Sequence, residues 1–328
     1  MGALMGDPKD KTPPWSSGVR IGKYDGTLPT AAALEVNFLG VPLGVLNSKI
    51  ASKTRSINYS WRGPLGQDCR YSITRTSDRP FPIASHVLTF DVLIAMFTHN
   101  FQTDGQFYFL WSDVLRQAGK DPNNRGAREA GKEAIRRIQA CSTTWVESFD
   151  GRTNTWSEHP ISWSSIVEDE AKGFQRNPRR AKTVDEWHGV KFCSQIVAAI
   201  QDKKIRLILS EVLQSGLPPE TYAVYRYFRR FTDRNEIVRS LAQIKTAMHY
   251  QGEMRRFKPW LKKHLEALKQ RGYAQMGDVY EDYAKVRLTD LDSLMAERKK
   301  PLSIVEVPQT NVVISAAIDL AFGRNIHP

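Results

Sequence analysis

Residues Gly126 to Lys132 carry the spacing G-x-x-x-x-G-K, which is the pattern of a phosphate-binding loop in nucleotide-binding proteins. That loop needs Ser or Thr after its lysine to hold Mg²⁺, and this chain has Glu133 there. The loop also follows a buried strand, whereas KDPNNR at residues 120–125 has turn composition. The intervening AREA favours a helix. We therefore predict no nucleotide or other cofactor site here, and a helix that starts near Asn124.

Other catalytic patterns are equally incomplete. The seven histidines include no His-x-His pair, which is the metal motif of rolling-circle nucleases. Tyr222, Tyr225 and Tyr227 have helical spacing beside Val224 and Phe228, which is more typical of core and surface aromatics on a helix than of a DNA-linking tyrosine. EDE at residues 168–170 is a charge run, and the three cysteines form no C-x-x-C. We predict that the protein is not an enzyme and holds no metal.

Length and charge narrow the class of protein. The 328 residues fit two domains, and the net charge of +12 with a pI near 9.6 favours a polyanionic partner, nucleic acid before membrane. The alternative is a basic soluble protein without such a partner. No signal peptide and no run of eighteen apolar residues is present, so we expect a cytoplasmic protein.

The order of periodic segments predicts a winged helix-turn-helix. A helix through Val87 and Phe97 precedes a strand at residues 105–111 and a short helix that Ser112 caps and Gly119 ends. The helix near Asn124 follows, and then a hairpin whose strands cover residues 144–149 and 155 onward.

The second half repeats this architecture without sequence similarity. LPPETYAVYRYFRRF predicts a helix at residues 217–231, and FKPWLKKHLEALKQRGY predicts another with Pro259 at its start and Gly272 at its end. AQMGDVYEDYAKVRLTD predicts a closing hairpin at residues 274–290.

The predicted fold class is therefore α+β, with tandem winged helix-turn-helix domains. We expect a disordered, basic and Pro-rich arm at residues 1–30 and a first winged-helix domain at 31–167. A polar linker at 168–187 leads to a second winged-helix domain at 188–290 and a C-terminal tail at 291–328.

The helix after Asn124 has a cationic side. On a helical wheel its small apolar residues fall together: Ala127, Ala130, Ala134, Ile138 and Cys141. Its cationic residues fall on the far side: Arg125, Arg128, Lys132 and Arg136. Such a helix can enter the major groove and contact bases and phosphates, although a solvated basic face has the same pattern.

The corresponding helix of the second half is more strongly basic. Residues 229–271 hold twelve Lys or Arg and four Asp or Glu, which is +8 of the chain's +12. Its predicted core stripe is Leu261, Leu265 and Leu268. Its candidate DNA contacts are Arg255, Arg256, Lys258, Lys262 and Lys263. Arg152, in the predicted turn of the first hairpin, is a candidate wing contact to phosphate.

Several segments resemble the plasmid replication initiators that are built from two winged-helix domains. In the first half these are HVLTFDVLIAMF, WSDVLRQAG and EAIRRIQACSTTWVESFDG. In the second half they are AVYRYFRRF, SLAQIKTAMHY and FKPWLKKHLEALKQRGY. The resemblance covers roughly residues 80–165 and 205–290. By position, the two predicted cationic helices match the two reading helices of that family.

The resemblance implies a sequence-specific protein that binds double-stranded DNA at repeated sites of a plasmid or secondary-replicon origin. It further implies duplex opening, recruitment of host replication-initiation and helicase-loading proteins, dimerisation through the first domain, and repression of its own gene. Such a protein would control plasmid copy number and lie in the cytoplasm on its replicon. A tandem winged-helix transcription regulator and a protein-interaction module remain alternatives. The sequence also leaves open whether the Gly- and Ala-rich first helix reads bases or mainly contacts the DNA backbone.

Overall fold

The structure is a computed structural model that describes residues 31–35, 43–46, 48–62, 68–99, 103–146, 148–150, 155–157, 161–163, 167–176, 184–201, 205–229, 231 and 236–289. Its helices are α1 (Ser48–Ala51), α2 (Ala84–His99), α3 (Trp111–Gln117), α4 (Arg125–Gln139), α5 (Ser194–Gln201), α6 (Ser210–Gln214), α7 (Pro219–Arg229), α8 (Leu241–Ala247) and α9 (Met254–Gln270). Its strands are β1 (Ala31–Glu35), β2 (Ser56–Arg62), β3 (Asp68–Arg75), β4 (Gln106–Leu110), β5 (Cys141–Val146), β6 (Ser148–Asp150), β7 (Thr155–Ser157), β8 (Ile161–Trp163), β9 (Val167–Arg176), β10 (Val184–Phe192), β11 (Ile205–Leu209), β12 (Ile237–Ser240), β13 (Ala274–Val279) and β14 (Tyr283–Leu288). The predicted arm, the predicted tail and Arg152 lie outside the described residues.

The second half forms a winged helix-turn-helix in the order α7, β12, α8, α9, β13, β14. Its antiparallel sheet has β14 in the centre, so the strand before the helix-turn-helix pairs with the last strand of the unit. Ile237 and Val286 form one such pair and are both buried. The predicted closing hairpin is β13–β14, and Gly272 follows α9 with a φ of 75°. The helix itself begins at Met254, so Pro259 lies inside it and not at its start.

The first half has the same connectivity, in the order α2, β4, α3, α4, β9, β10. Its sheet places β10 in the centre, between β4 and β9. Since this is the strand order of the second unit, the chain contains two winged helix-turn-helix units. The predicted α+β fold with tandem winged helices is therefore confirmed.

The position of the first wing differs from the sequence prediction. Residues 168–187, which we expected to be a linker, belong largely to β9 and β10 and complete the first winged sheet. The predicted start of the second domain at residue 188 falls inside β10. The prediction was wrong because β9 has a charged, non-alternating sequence. Its strand conformation depends on pairing with β10 and on packing against α4.

The hairpin that we predicted as the first wing exists in another sheet. β6 pairs with β7, with Phe149 opposite Trp156, and β5 pairs with β8. β5 also pairs with β3, so the sheet order is β2, β3, β5, β8. The strands β5 to β8 thus form an insertion between α4 and the wing of its own unit. Arg152 falls in the same stretch of sequence but lies outside the described residues.

Local signals set the ends of two predicted helices. The Asn124 side chain accepts a hydrogen bond from the Ala127 amide (2.9 Å), which fixes the start of α4. Gly119, with a φ of 67°, ends α3 as predicted. Ser112 does not cap α3, because the helix begins one residue earlier and Ser112 is buried within it.

The buried apolar side chains of both units form one continuous cluster. Tyr222, Tyr225 and Tyr227 all lie in it, with exposed fractions of 1%, 5% and 2%, so none of them is the surface aromatic that we expected among the three. Within the described ranges, no helix has the length and apolarity needed to cross a bilayer.

Candidate nucleic-acid interface

Helix α9 is fixed to its unit by one apolar stripe. The predicted stripe of Leu261, Leu265 and Leu268 is fully buried, and Phe257 extends it by one turn. Gly277 of β13 lies so close that a Cβ there would be 3.0 Å from the Leu265 Cβ. Because β13 lies this close to the leucine stripe, the opposite face of α9 is the one that remains open to a ligand.

Helix α9 also has a polar attachment on its buried side. The His264 Nδ1 lies 2.8 Å from the Thr221 hydroxyl of α7, and its Nε2 lies 3.5 Å from a Glu220 carboxylate oxygen. Burial lowers the pKa of His264 below its usual value, while Glu220 opposes this shift. This contact fixes the rotation of α9 about its axis relative to α7.

The turn before α9 holds the two helices of the second helix-turn-helix together. Ser240 caps α8 by accepting a hydrogen bond from the Gln243 amide (3.2 Å), and the backbone turns at His249 with a φ of 47°. The Tyr250 ring then packs on Phe257 and Trp260, with centroids 5.2 and 5.3 Å away. The first turns of α9 are thereby anchored on aromatic rings.

The outer face of α9 carries exposed positive charge. Arg255, Arg256, Lys262 and Lys263 are exposed, and Lys258 is half-buried. Arg255 is paired with Glu253 (2.6 Å), where both groups are mostly exposed. None of the other four has a carboxylate partner among the described residues. This face therefore presents cations that are available to an external anion.

Helix α4 packs more closely than its wheel suggested. Its buried residues are Gly131, Ala134, Ile135 and Ile138, whereas the predicted core residue Ala130 is exposed. A Cβ at Gly131 would lie 2.4 Å from the ring of Trp111 in α3. The second glycine of the phosphate-loop pattern is therefore needed for contact between the two helices of the helix-turn-helix.

The four predicted contacts on α4 are not equivalent. Arg125 is exposed, whereas Arg136 is half-buried. The Arg128 guanidinium donates to the Pro122 carbonyl (3.1 Å). The side chain of Lys132 is only 13% exposed, and its Nζ lies 2.8 Å from a Glu129 carboxylate oxygen. A helical wheel describes α4 alone, so it could not show that Lys132 is largely covered within the folded unit.

Helix α4 also carries ion pairs that were not predicted from the sequence. Arg137 donates to Glu133 (2.8 Å), and Arg79 reaches the same carboxylate (3.3 Å). The spacing of four residues between Glu133 and Arg137 was the available signal. Because carboxylates lie among its cations, α4 offers less free positive charge than α9.

The second wing is not basic. Its tip contains Glu281 and Asp282 between Tyr280 and Tyr283, whose rings stack with centroids 4.6 Å apart. Two cations of this sheet, Lys285 and Arg287, both pair with Glu236. The tip therefore lacks the positive charge expected of a phosphate contact.

A buried polar junction joins the first helices of the two units. Arg226 of α7 donates from Nε to the Asp91 Oδ2 of α2 (2.7 Å) and from Nη2 to its Oδ1 (3.4 Å). The Tyr222 hydroxyl donates to the same Oδ2 (2.7 Å). The side chains of Arg226 and Asp91 are 5% and 2% exposed. Asp91 lies inside the apolar run VLTFDVLIAMF, and a buried carboxylate needs a positively charged or hydrogen-bonding partner. This was the sequence signal for the junction.

The junction couples the two helix-turn-helix motifs. Burial raises the pKa of Tyr222 well above its usual value, and the Asp91 charge adds to this, so its hydroxyl stays protonated and donates. Since α2 packs against α4 and α7 packs against α9, the junction helps to fix α4 and α9 in one relative arrangement.

No protein-family model matches this chain, and no curated protein matches it. Among solved structures, the crystal structure of domain 2 and domain 3 of RctB is similar, with a TM-score of 0.51 and 14% identity over 77% of this chain and 98% of that chain. A second structure of RctB domains 2–3 has a TM-score of 0.49 and 14% identity, over 77% and 97%. Pi initiator protein in complex with iteron DNA has a TM-score of 0.40 and 12% identity, over 75% and 100%. The first similarity covers more of the chain than either winged unit alone, so it concerns the tandem fold.

Proposed function

We propose that this protein is a sequence-specific binder of double-stranded DNA that initiates replication at a plasmid or secondary-replicon origin. The observation that carries the proposal is the outer face of α9. It presents cations without described carboxylate partners on the second helix of a helix-turn-helix, which is the element that enters the major groove in this fold. A helix is about 10–12 Å across and the major groove about 12 Å wide, so the fit is direct.

The presence of two joined helix-turn-helix units also favours a DNA site that both units contact. Two helix-turn-helix units in one chain, joined by a buried ion pair, present two reading helices at a fixed separation. Such a protein fits an asymmetric site longer than one groove contact. The sequence resemblance to plasmid initiators supports directly repeated sites at an origin, with autoregulation and recruitment of host helicase-loading proteins as consequences.

Within this proposal the two reading helices have different tasks. α9 makes the main contact in the groove, because Lys262, Lys263 and Arg256 are exposed without described ion pairs. Lys262 and Lys263 contact phosphates beside the groove, and Arg256 is left to reach base edges. α4 mainly contacts the DNA backbone through Arg125 and Arg136, since its other cations are held by protein groups.

The first test is selection of bound duplexes from a random library at about 150 mM salt, followed by anisotropy titration of the enriched sequence. An asymmetric site that spans two major-groove turns is the expected result. A short palindrome would favour a dimeric transcription regulator. The absence of an enriched site, with affinity lost as salt rises, would refute sequence-specific binding.

The second test assigns the contact to α9. Lys262→Ala with Lys263→Ala should weaken binding at all sequences and reduce the salt slope by roughly two, about one for each phosphate contact. Lys49→Ala with Lys53→Ala removes the same charge from exposed positions outside both helix-turn-helix motifs. Equal slopes for the two double variants would show that the charge of α9 has no special part in binding.

A further inference from the structure

The sheet of the second unit has an exposed apolar patch at its wing. Val238, Tyr280 and Tyr283 are 52%, 44% and 40% exposed, which makes them the most exposed large hydrophobic side chains of the described residues. We call these three residues the wing patch. The two tyrosine rings stack at an interplanar angle of 17°, so they form one flat surface.

The strand register places the patch on one side of the sheet. Val238 is opposite Lys285 and Ser240 is opposite Tyr283, so Val238 and Tyr283 are diagonal neighbours on the same face. Ile237 and Ala284, which alternate with them, are buried on the face toward α9. The wing patch therefore faces away from the core of its own unit.

Negative charge is in excess around this patch. Asp278, Glu281 and Asp282 are exposed, and no described cation pairs with them. Two nearby cations, Lys285 and Arg287, share the Glu236 carboxylate, so these four acids and two cations have a net charge of −2. An acidic rim around stacked rings repels DNA phosphates and attracts a basic protein surface. In a chain of net charge +12, other parts of the same protein supply such a surface.

We infer that the wing patch binds a positively charged surface of a second copy of this chain, bound at the neighbouring DNA repeat. The inference rests on the proposed function. Two acidic rims repel each other, so the patch cannot pair with itself across a two-fold axis. The contact is instead head-to-tail, and that symmetry matches directly repeated sites.

The wing patch is too small to hold two free copies together. Three side chains cover far less than the roughly 1,200 Å² of a stable interface, so free copies stay apart at this surface. Two copies on adjacent repeats meet at a high effective concentration, and there a weak contact is sufficient. The wing patch thus acts as a source of cooperativity between DNA-bound copies.

The test compares duplexes that carry one or two copies of the selected site, with spacings varied in half-turn steps of the helix. The variants are Tyr280→Ser with Tyr283→Ser, and Glu281→Lys with Asp282→Lys. Asp78→Lys with Asp104→Lys makes the same charge change at exposed positions of the first half. For the wild-type protein and this control we expect the second copy to bind about five-fold or more tightly than the first at a favoured spacing.

Both wing variants should lose this cooperative factor, and the Tyr280→Ser, Tyr283→Ser protein should keep its one-site affinity. A retained cooperative factor in either variant would overturn the inference. An equal loss of one-site and two-site affinity in the tyrosine variant would instead place the patch on DNA. One-site binding by the wild type without cooperativity at any spacing would remove the wing inference alone. Absence of specific one-site binding would refute the proposed function itself.

Discussion

Removing Asp91 should destabilise the whole protein more than most single substitutions. Asp91→Leu has a similar shape but takes away the carboxylate that accepts from the Arg226 guanidinium twice and from the Tyr222 hydroxyl once. Solvent does not compensate, because the Arg226 side chain is 5% exposed. Breaking a buried ion pair by removing one partner costs about 3–5 kcal/mol. That is a large part of the roughly 5–15 kcal/mol that stabilises a typical domain.

The assay is urea unfolding followed by tryptophan fluorescence and circular dichroism. The transition midpoint should fall, and the two signals should separate, since the junction joins α2 of one unit to α7 of the other. The matched control replaces the whole junction with apolar groups: Asp91→Leu, Arg226→Met and Tyr222→Phe. Without a buried charge left behind, it should be more stable than Asp91→Leu alone.

Two results would refute this reasoning. A cost below about 1 kcal/mol for Asp91→Leu would mean that the pair contributes no more than an exposed ion pair. A triple variant less stable than Asp91→Leu would mean that packing at the junction, and not the paired charge, is the larger contribution.

Further predictions concern helix packing and pH. Gly131→Ala should lower the urea midpoint, since overpacking against the buried Trp111 ring costs about 1–3 kcal/mol and the gain in helix propensity is about 1 kcal/mol. Gly126→Ala, at an exposed position of the same helix, should raise the midpoint, and shifts of the same sign would contradict the packing argument. Burial, and then the Arg137 charge, lower the pKa of His86 to about 4, so the unfolded chain binds more protons between pH 4 and 6.5. As the pH is lowered through this window, the free energy of unfolding should decrease by up to about 1.4 kcal/mol per pH unit. The variant His86→Asn keeps an acceptor for the Ile83 amide and should make this pH dependence shallower. An unchanged slope in the variant would remove His86 from the acid response.

The parts of the fold that sequence predicted are those with local causes. The start of α4 follows from Asn124, the end of α3 from Gly119, and the burial of α9 from its leucine spacing. Each signal lies within a few residues of the feature that it sets. The two helix-turn-helix motifs and the second wing were predictable for this reason.

The first wing and part of the first interface have non-local causes. β9 is a strand because β10 pairs with it, and its charged sequence gives no alternating pattern. Lys132 is not an open cation, because its side chain is only 13% exposed once α4 packs in the folded unit. A helical wheel describes one isolated helix, so it could not show which of its positions the rest of the unit would cover.

The insertion between α4 and β9 affects how the protein folds more than how stable it is. In the second unit Ile237 pairs with Val286, whereas in the first Leu110 must find Trp187, further along the chain. Doubling a loop costs only about 0.6 kcal/mol of closure entropy, so the longer connection is thermodynamically tolerable. The folding rate depends more strongly on the separation of contacting residues. We therefore expect the second unit to form its sheet first. The first unit is synthesised earlier, but its sheet requires β4 to pair with β10 across the insertion within residues 140–166.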